Sequence, residues 1–165
     1  MNIIEKHRHS IRIKNYDYSQ KGWYFITICT KDRKQILSKI DDNTCRGKAI
    51  TLPRMTKIGD IIEKSIEYFN DKYYNLKIEK YVIMPNHIHM IIQIKGKDGA
   101  LPLHDVIRTF KSFTAVQCNK IDYLKHAKLW QRNYYEHVIR NEREYWMIYE
   151  YIENNPLNWK IDKYY

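Results

Sequence analysis

Residues 77–94 read KIEKYVIMPNHIHMIIQI, and this stretch decides the fold. Lys77 to Pro85 and His87 to Ile94 are two β-rich runs joined tightly at Met84, Pro85 and Asn86, the pattern of an antiparallel pair. Successive side chains of a strand point to opposite faces. Ile88, Met90 and Ile92 are therefore expected to face a helix-covered core. His87, His89 and Gln93 share the other face, with Ile91 among them.

Upstream of this pair, Ile58, Ile62, Ile66 and Phe69 recur at helical spacing and predict an amphipathic helix from Lys57 to Tyr74. Before it, GWYFITICT (residues 22–30) is aromatic and β-branched, a strand. Residues 31–54 suit an irregular hairpin. Downstream, Gly96 and Gly99 mark a loop. Leu103, Val106, Ile107, Phe110 and Phe113 give a second amphipathic helix, and residues 129–140 are aromatic and partly extended. A last helix starts near Asn141, with Glu144 placed for a capping box, and Pro156 closes it. No linker or internal repeat interrupts the chain. The order predicts a single α+β domain over residues 1–165, ferredoxin-like, with a mainly antiparallel sheet. Two helices should pack on one face and the final helix near the other.

At 165 residues and 44% hydrophobic content, the chain can bury a real core. Disorder and a disulfide-stapled miniprotein are poor readings. Lys and Arg number 29 against 19 Asp and Glu, a formal charge of +10. That surplus favours a polyanionic partner, nucleic acid or an acidic membrane. The apolar runs are far below the roughly 20 residues of a membrane-spanning helix, and residues 1–10 hold no signal-like apolar run. Cys29, Cys45 and Cys118 are odd in number and widely spaced, as expected of thiols in a reducing compartment. These features predict a soluble cytoplasmic protein.

Two places could carry chemistry. His87 and His89 on one strand face can chelate one divalent metal, although HxH alone more often describes two hydrogen-bonded or solvated imidazoles. A third ligand decides between them. Tyr151 and Asn155 are i and i+4 on the last helix, one above the other. Such a pair reads as plain surface, or as a nucleophilic phenol beside a hard carbonyl oxygen of the kind Mg²⁺ or Mn²⁺ accepts. Ile148 and Ile152 lie about a quarter-turn away and can anchor the helix. Tyr145 and Tyr149 are rival phenols on other helix faces.

YVIMPNHIHMI (81–91), WQRNYYEHVIR (130–140) and YIENNP (151–156), with YDYSQ (16–20) and YFITIC (24–29), resemble the REP-associated tyrosine transposases in the same order. These belong to the wider group of single-tyrosine HUH transposases. The resemblance implies the same ferredoxin-like fold. It implies that His87 and His89 are metal-binding histidines, that Tyr151 is the nucleophile and that Asn155 completes the metal site. It further implies cutting of single-stranded DNA beside a hairpin through a 5′-phosphotyrosine link, with release of a 3′-hydroxyl. The cofactor expected is Mg²⁺ or Mn²⁺. The wider group includes dimers that share active sites, so monomer and homodimer both stay open. A covalent link of this kind conserves the energy of the cut bond, in keeping with a sequence that has no GxxxxGK[ST] phosphate loop.

Arg12, Lys14, Arg108, Lys111, Arg132 and Arg140 are candidate phosphate contacts or solvated charges. Tyr134 and Tyr135 could stack on unpaired bases or serve as core aromatics, with core expected for at least one. His104, His126 and His137 have no partner spacing and read as structural or solvated. Two other classes compete. A non-catalytic nucleic-acid-binding module with an RNA-recognition-like sheet would put aromatics on the central strand, where His87 and His89 stand. A zinc hydrolase would want a general-base carboxylate beside HxH, where Asn86 and Met90 stand.

Overall fold

The computed structural model describes residues 16–40, 53–96, 101–121 and 128–164. Strands β1 (Gly22–Cys29), β4 (Leu76–Ile83), β5 (His87–Ile94) and β6 (Tyr135–Ile139) form one sheet in the order β4-β5-β1-β6. Every neighbouring pair in it is antiparallel. The short strands β2 (Ser38–Lys39) and β3 (Arg54–Met55) pair separately, the expected irregular hairpin. Helices α1 (Lys57–Lys72) and α2 (Leu103–Asn119) each link strands that have another strand between them. This is the ferredoxin-like arrangement read from the sequence.

The alternation of β1 and β5 divides the interior in two. Tyr24, Ile26 and Ile28 join Ile88, Met90 and Ile92 against Ile62, Ile66 and Phe69 of α1 and Ile107 and Phe110 of α2. Phe69 and Phe110 meet edge to face, centroids 5.2 Å apart, a geometry that adds about 0.5–1.5 kcal/mol to area burial. On the opposite face Phe25 and Ile91 pack with Val82, Met84, Ile139, Ile152 and Trp159. That second, smaller core fastens α3 (Glu142–Asn154) and the 3-10 helix Asn155–Ile161 to the sheet.

A β-bulge between Ile78 and Lys80 interrupts β4, a feature the sequence reading did not include. It shifts the alternation by one. Leu76 and Ile78 before it and Ile83 after it all reach the larger core, while Val82 reaches the smaller one. Glu79, at the bulge, accepts hydrogen bonds from Trp23 Nε1 (3.0 Å) and Tyr145 Oη (3.1 Å), and so ties α3 to the sheet.

The β4–β5 turn is held by a strap running from Thr30 to Ser38. Thr30 N donates to Asn86 O (2.9 Å), Leu37 N to Pro85 O (3.0 Å) and Ser38 Oγ to Ile83 O (2.8 Å). Thr56 caps α1 by accepting from Gly59 N, and its own N–H donates to Leu37 O. A Cβ at Gly59 would overlap that same Leu37 carbonyl oxygen, so only glycine lets the helix approach the strap. Cys29 and Cys118 are buried free thiols, and Cys45 lies outside the described residues. Among the described residues no helix is long and apolar enough to cross a membrane.

Candidate catalytic and cation site

His87 and His89 project from β5 on the face away from α1 and α2, as the alternation predicts, and both are buried. Their Nε2 atoms are 3.1 Å apart. Each ring is oriented through its other nitrogen. His89 Nδ1 is 2.8 Å from Thr27 Oγ1, its partner in the β1–β5 register. His87 Nδ1 is 2.8 Å from Asn86 Oδ1, and the Asn86 amide nitrogen donates to Tyr164 O (2.7 Å). An amide oxygen only accepts, so His87 carries its proton on Nδ1 and presents a lone pair at Nε2. Burial pulls the His87 pKa down to about 4 and holds His89 well below its ordinary value, with the His87 charge adding to the effect. Both imidazoles are neutral at physiological pH, the form that binds metals.

The last helix supplies the next two groups. Asn141 caps α3 by accepting from Glu144 N (2.9 Å). Only half of the expected capping box forms, because the Glu144 carboxylate accepts from Arg140 N (2.7 Å) and contacts His137 Nε2 (2.6 Å). Ile152, fully buried, and half-buried Ile148 anchor the helix as their spacing predicts. This sets the Tyr151 hydroxyl 3.3 Å from His89 Nε2. The Tyr151 ring packs edge-on to Phe25 (6.0 Å, 85°) and against His89 (5.2 Å). Tyr145 is bound to Glu79, and the Tyr149 ring lies under the Lys80 ammonium at 4.2 Å. Both fasten α3 to β4.

The α-helix ends at Asn154, but Pro156 does not end the turn. It stands at the start of the 3-10 helix, where its missing N–H costs nothing. Buried Trp159 pins that segment to the smaller core, and the chain returns over the histidines. Asp162, a residue the sequence reading did not single out, thereby enters the site. Its Oδ2 accepts from Asn155 Nδ2 (2.8 Å) and lies 3.5 Å from Tyr151 Oη, and its Oδ1 accepts from Tyr164 N (2.7 Å). Donor atoms of His87, His89 and Asp162 all lie within 4.8 Å of one another. The Tyr164 ring covers His87 at 4.8 Å.

Asn155 is buried, and its Oδ1 has no hydrogen-bond partner among the described residues. A buried carbonyl oxygen without a donor costs about 1–3 kcal/mol, a deficit that a cation removes. Two neutral imidazoles, one carboxylate and this carbonyl make a mixed N/O donor set of the kind that holds a divalent metal. The residues fit a divalent cation. The Tyr151 phenol, in contrast, is pushed up to about 12, by burial first and then by the Asp162 carboxylate. It is a protonated hydroxyl at neutral pH.

The candidate phosphate contacts do not gather here. Arg108 and Lys111 stand on α2, across the sheet. Arg108 pairs with Asp105 (2.8 Å). Lys111 donates to Gln131 O (2.7 Å) and Arg132 O (2.9 Å), tying α2 to the segment before β6, and burial lowers its pKa. Arg132 and Arg140 are exposed at either end of the residue 132–140 segment, and Arg12 and Lys14 lie outside the described residues, as does His126. His104 is exposed beside Asp105, and His137 contacts Glu144. Among the described residues, Arg33 and Lys163 are basic groups whose charges act on His87. Arg33 has a left-handed backbone (φ 53°), donates to Lys163 O (3.2 Å) and lies over the Tyr164 ring. Of the adjacent tyrosines, Tyr134 packs against the larger core and Tyr135 lies on the site face, 39% exposed.

The pattern of the family "Transposase IS200 like" matches residues 18–155. An uncharacterized protein of Haemophilus influenzae is 35% identical, the match covering 96% of this chain and 93% of that protein. A second protein of that organism, named "Putative REP-associated tyrosine transposase", is 22% identical over 88% of this chain and 77% of its own length. The solved structure of a REP-associated tyrosine transposase bound to a REP hairpin has the same fold. Its TM-score is 0.62 at 21% identity, and the match covers 92% of this chain and 76% of that one. The family pattern takes in both histidines, Tyr151 and Asn155, and on that match the chain belongs to the IS200-like transposases.

Proposed function

We propose that this protein is a metal-dependent nickase and strand transferase of single-stranded DNA, acting beside a DNA hairpin with Tyr151 as nucleophile. The observation that carries the reading is the 3.3 Å approach of Tyr151 Oη to His89 Nε2, at a paired-histidine site that also holds Asp162 and Asn155. A hairpin partner is supported by the hairpin bound to the REP-associated structural neighbour.

His87, His89, Asn155 and Asp162 would hold Mg²⁺ or Mn²⁺. Held there, it would supply charge neutralisation at a non-bridging phosphate oxygen and so open phosphorus to attack. The protein's own groups do the rest. Tyr151 Oη attacks phosphorus, a tyrosyl-phosphate bond forms to the 5′ side, and the bond to the 3′-oxygen breaks. The phenol gives up its proton, with the Asp162 carboxylate 3.5 Å away as a base placed to take it, and the departing oxygen gains one to become a 3′-hydroxyl. Phe25 and His89 fix the ring, so the attacking oxygen is positioned before substrate arrives. Reversal with a new 3′-hydroxyl rejoins DNA without ATP.

The RNA-recognition-like alternative is disfavoured by coverage. Such a module needs its outer sheet face open for stacking, and here α3 and the 3-10 helix lie across β4 and β5. The test is incubation with hairpin-bearing single-stranded DNA and Mg²⁺ or Mn²⁺, followed by denaturing electrophoresis. A covalent protein–DNA band that Tyr151→Phe abolishes is expected. A band that persists in that variant rules Tyr151 out.

A further inference from the structure

A groove of about 460 Å³ opens beside the nucleophile, and Phe25, Tyr135, Tyr151, Asn158, Ile161 and Lys163 are among the residues that line it. Tyr135 comes from β6 and shares the outer sheet face with His137, whereas its neighbours Glu136 and Val138 point the other way. It meets Phe25 nearly edge-on, at 6.2 Å and 69°. Phe25 meets Tyr151 in the same manner at 6.0 Å. One buried ring thus sets the positions of both tyrosines. The Lys163 ammonium lies over the Tyr135 ring at 5.3 Å, so the face of the ring is offered to the groove and not packed into the core. Ile161, 83% exposed, adds apolar surface with no core to join.

We propose that Tyr135 is the stacking platform of a subsite for one unpaired nucleobase, that of a nucleotide adjacent to the phosphate attacked by Tyr151. The proposal rests on the function given above and adds to it a residue that binds the flanking strand. Three features favour a base as the occupant. The groove is continuous with the site that must hold the phosphate, since Tyr151, Asn155 and Asp162 line both. Its rim carries the Lys163 charge, complementary to a phosphodiester. Stacking of a base on an aromatic ring is stronger than an exposed cation–π contact, so an incoming base can displace the Lys163 ammonium from the ring and leave it free to meet the backbone.

The test uses the full-length protein and hairpin oligonucleotides carrying the fluorescent base 2-aminopurine, one position at a time, along the single-stranded flank. One position should be quenched on binding. Tyr135→Leu keeps an apolar side chain but removes the π-face, and should restore that fluorescence and weaken binding about tenfold. Tyr135→Phe should keep the quenching. If no position responds to Tyr135→Leu while Tyr151 still forms its adduct, the subsite is wrong and the nuclease reading stands. If the wild-type protein neither binds the hairpin DNA nor forms an adduct, both fall. Equal loss of quenching in the Phe and Leu variants would also overturn stacking, since phenylalanine retains the ring.

Discussion

Asp162 Oδ2 accepts a 2.8 Å hydrogen bond from Asn155 Nδ2, while the Asn155 carbonyl oxygen is buried with no hydrogen-bond partner among the described residues. The carboxylate thus orients the amide and contributes the only formal negative charge among the four proposed ligands. Asp162→Asn should weaken Mn²⁺ binding by about tenfold or more, within the range seen when groups that orient metal ligands are lost. Calorimetric titration of the wild-type and variant proteins with Mn²⁺ reads this directly. Equal affinities would remove Asp162 from the site.

Tyr151 and Tyr145 should respond in opposite ways to loss of their hydroxyls. The Tyr151 hydroxyl's hydrogen bonds to His89 and Asp162 are long, 3.3 and 3.5 Å, so Tyr151→Phe should leave the melting temperature nearly unchanged while the DNA adduct disappears. Tyr145 donates to Glu79 at 3.1 Å. Tyr145→Phe should cost about 1 kcal/mol of stability and retain nicking. A Tyr145→Phe protein that folds but forms no adduct would contradict the assignment.

Gly59 offers a case where helix propensity and packing disagree. Alanine is favoured over glycine within a helix by about 1 kcal/mol. Here a Cβ would strike the Leu37 carbonyl, a backbone atom fixed by the strap and already accepting from Thr56 N. Overpacking of this kind costs about 1–3 kcal/mol, so Gly59→Ala should lower stability. A rise in the urea midpoint would show that the strap can yield.

Glu144 provides a pH-dependent contribution. Hydrogen bonding from Arg140 N, and then contact with His137, holds its carboxyl below the ordinary value of 4.5. A depressed folded-state pKa stabilises the protein above the unfolded value, and the contribution is lost as pH falls through the folded one. Glu144→Gln should therefore be less stable than wild type at neutral pH, and the gap should close progressively as the pH is taken below 4.5. A gap independent of pH would mean that the hydrogen bonds matter and the charge does not.

Much of this site was legible because its pieces obey simple periods. His87 and His89 share a face through the strand period of two, and Tyr151 and Asn155 share one through the helical period. The histidines lie within β5, and Tyr151 lies within α3 with Asn155 as its helical C-cap. Asp162 could not be found this way. It follows a proline-led 3-10 helix whose path is set by Trp159 docking on the sheet, and neither period extends across that change of geometry. The bulge at Glu79 escaped notice for a related reason, since Lys77 to Ile83 gives no glycine or proline to mark an extra residue. Charge was the least informative signal. Lys111 looked like a phosphate contact, and its position on α2 and its bonds to two backbone carbonyls follow only from tertiary packing.

Trp159 is the large side chain by which the segment leading to Asp162 enters the smaller core, and this separates anchoring from ligation. Trp159 is 6% exposed, packs with Phe25, Val82 and Ile152 in the smaller core, and lies 6.1 Å from the His87 ring. Truncating a buried tryptophan costs about 3–5 kcal/mol, enough to release a short 3-10 segment from the sheet. Trp159→Ala should then lower Mn²⁺ affinity much as Asp162→Asn does, although every proposed ligand is still present in the chain. Trp159→Phe retains an aromatic anchor and should fall between Trp159→Ala and wild type in both melting temperature and Mn²⁺ affinity. Combining Trp159→Ala with Asp162→Asn should weaken binding little beyond either change alone, because both act by removing the same carboxylate. Fully additive losses would show that Trp159 supports the histidines directly and that the tail's position does not govern the cation site.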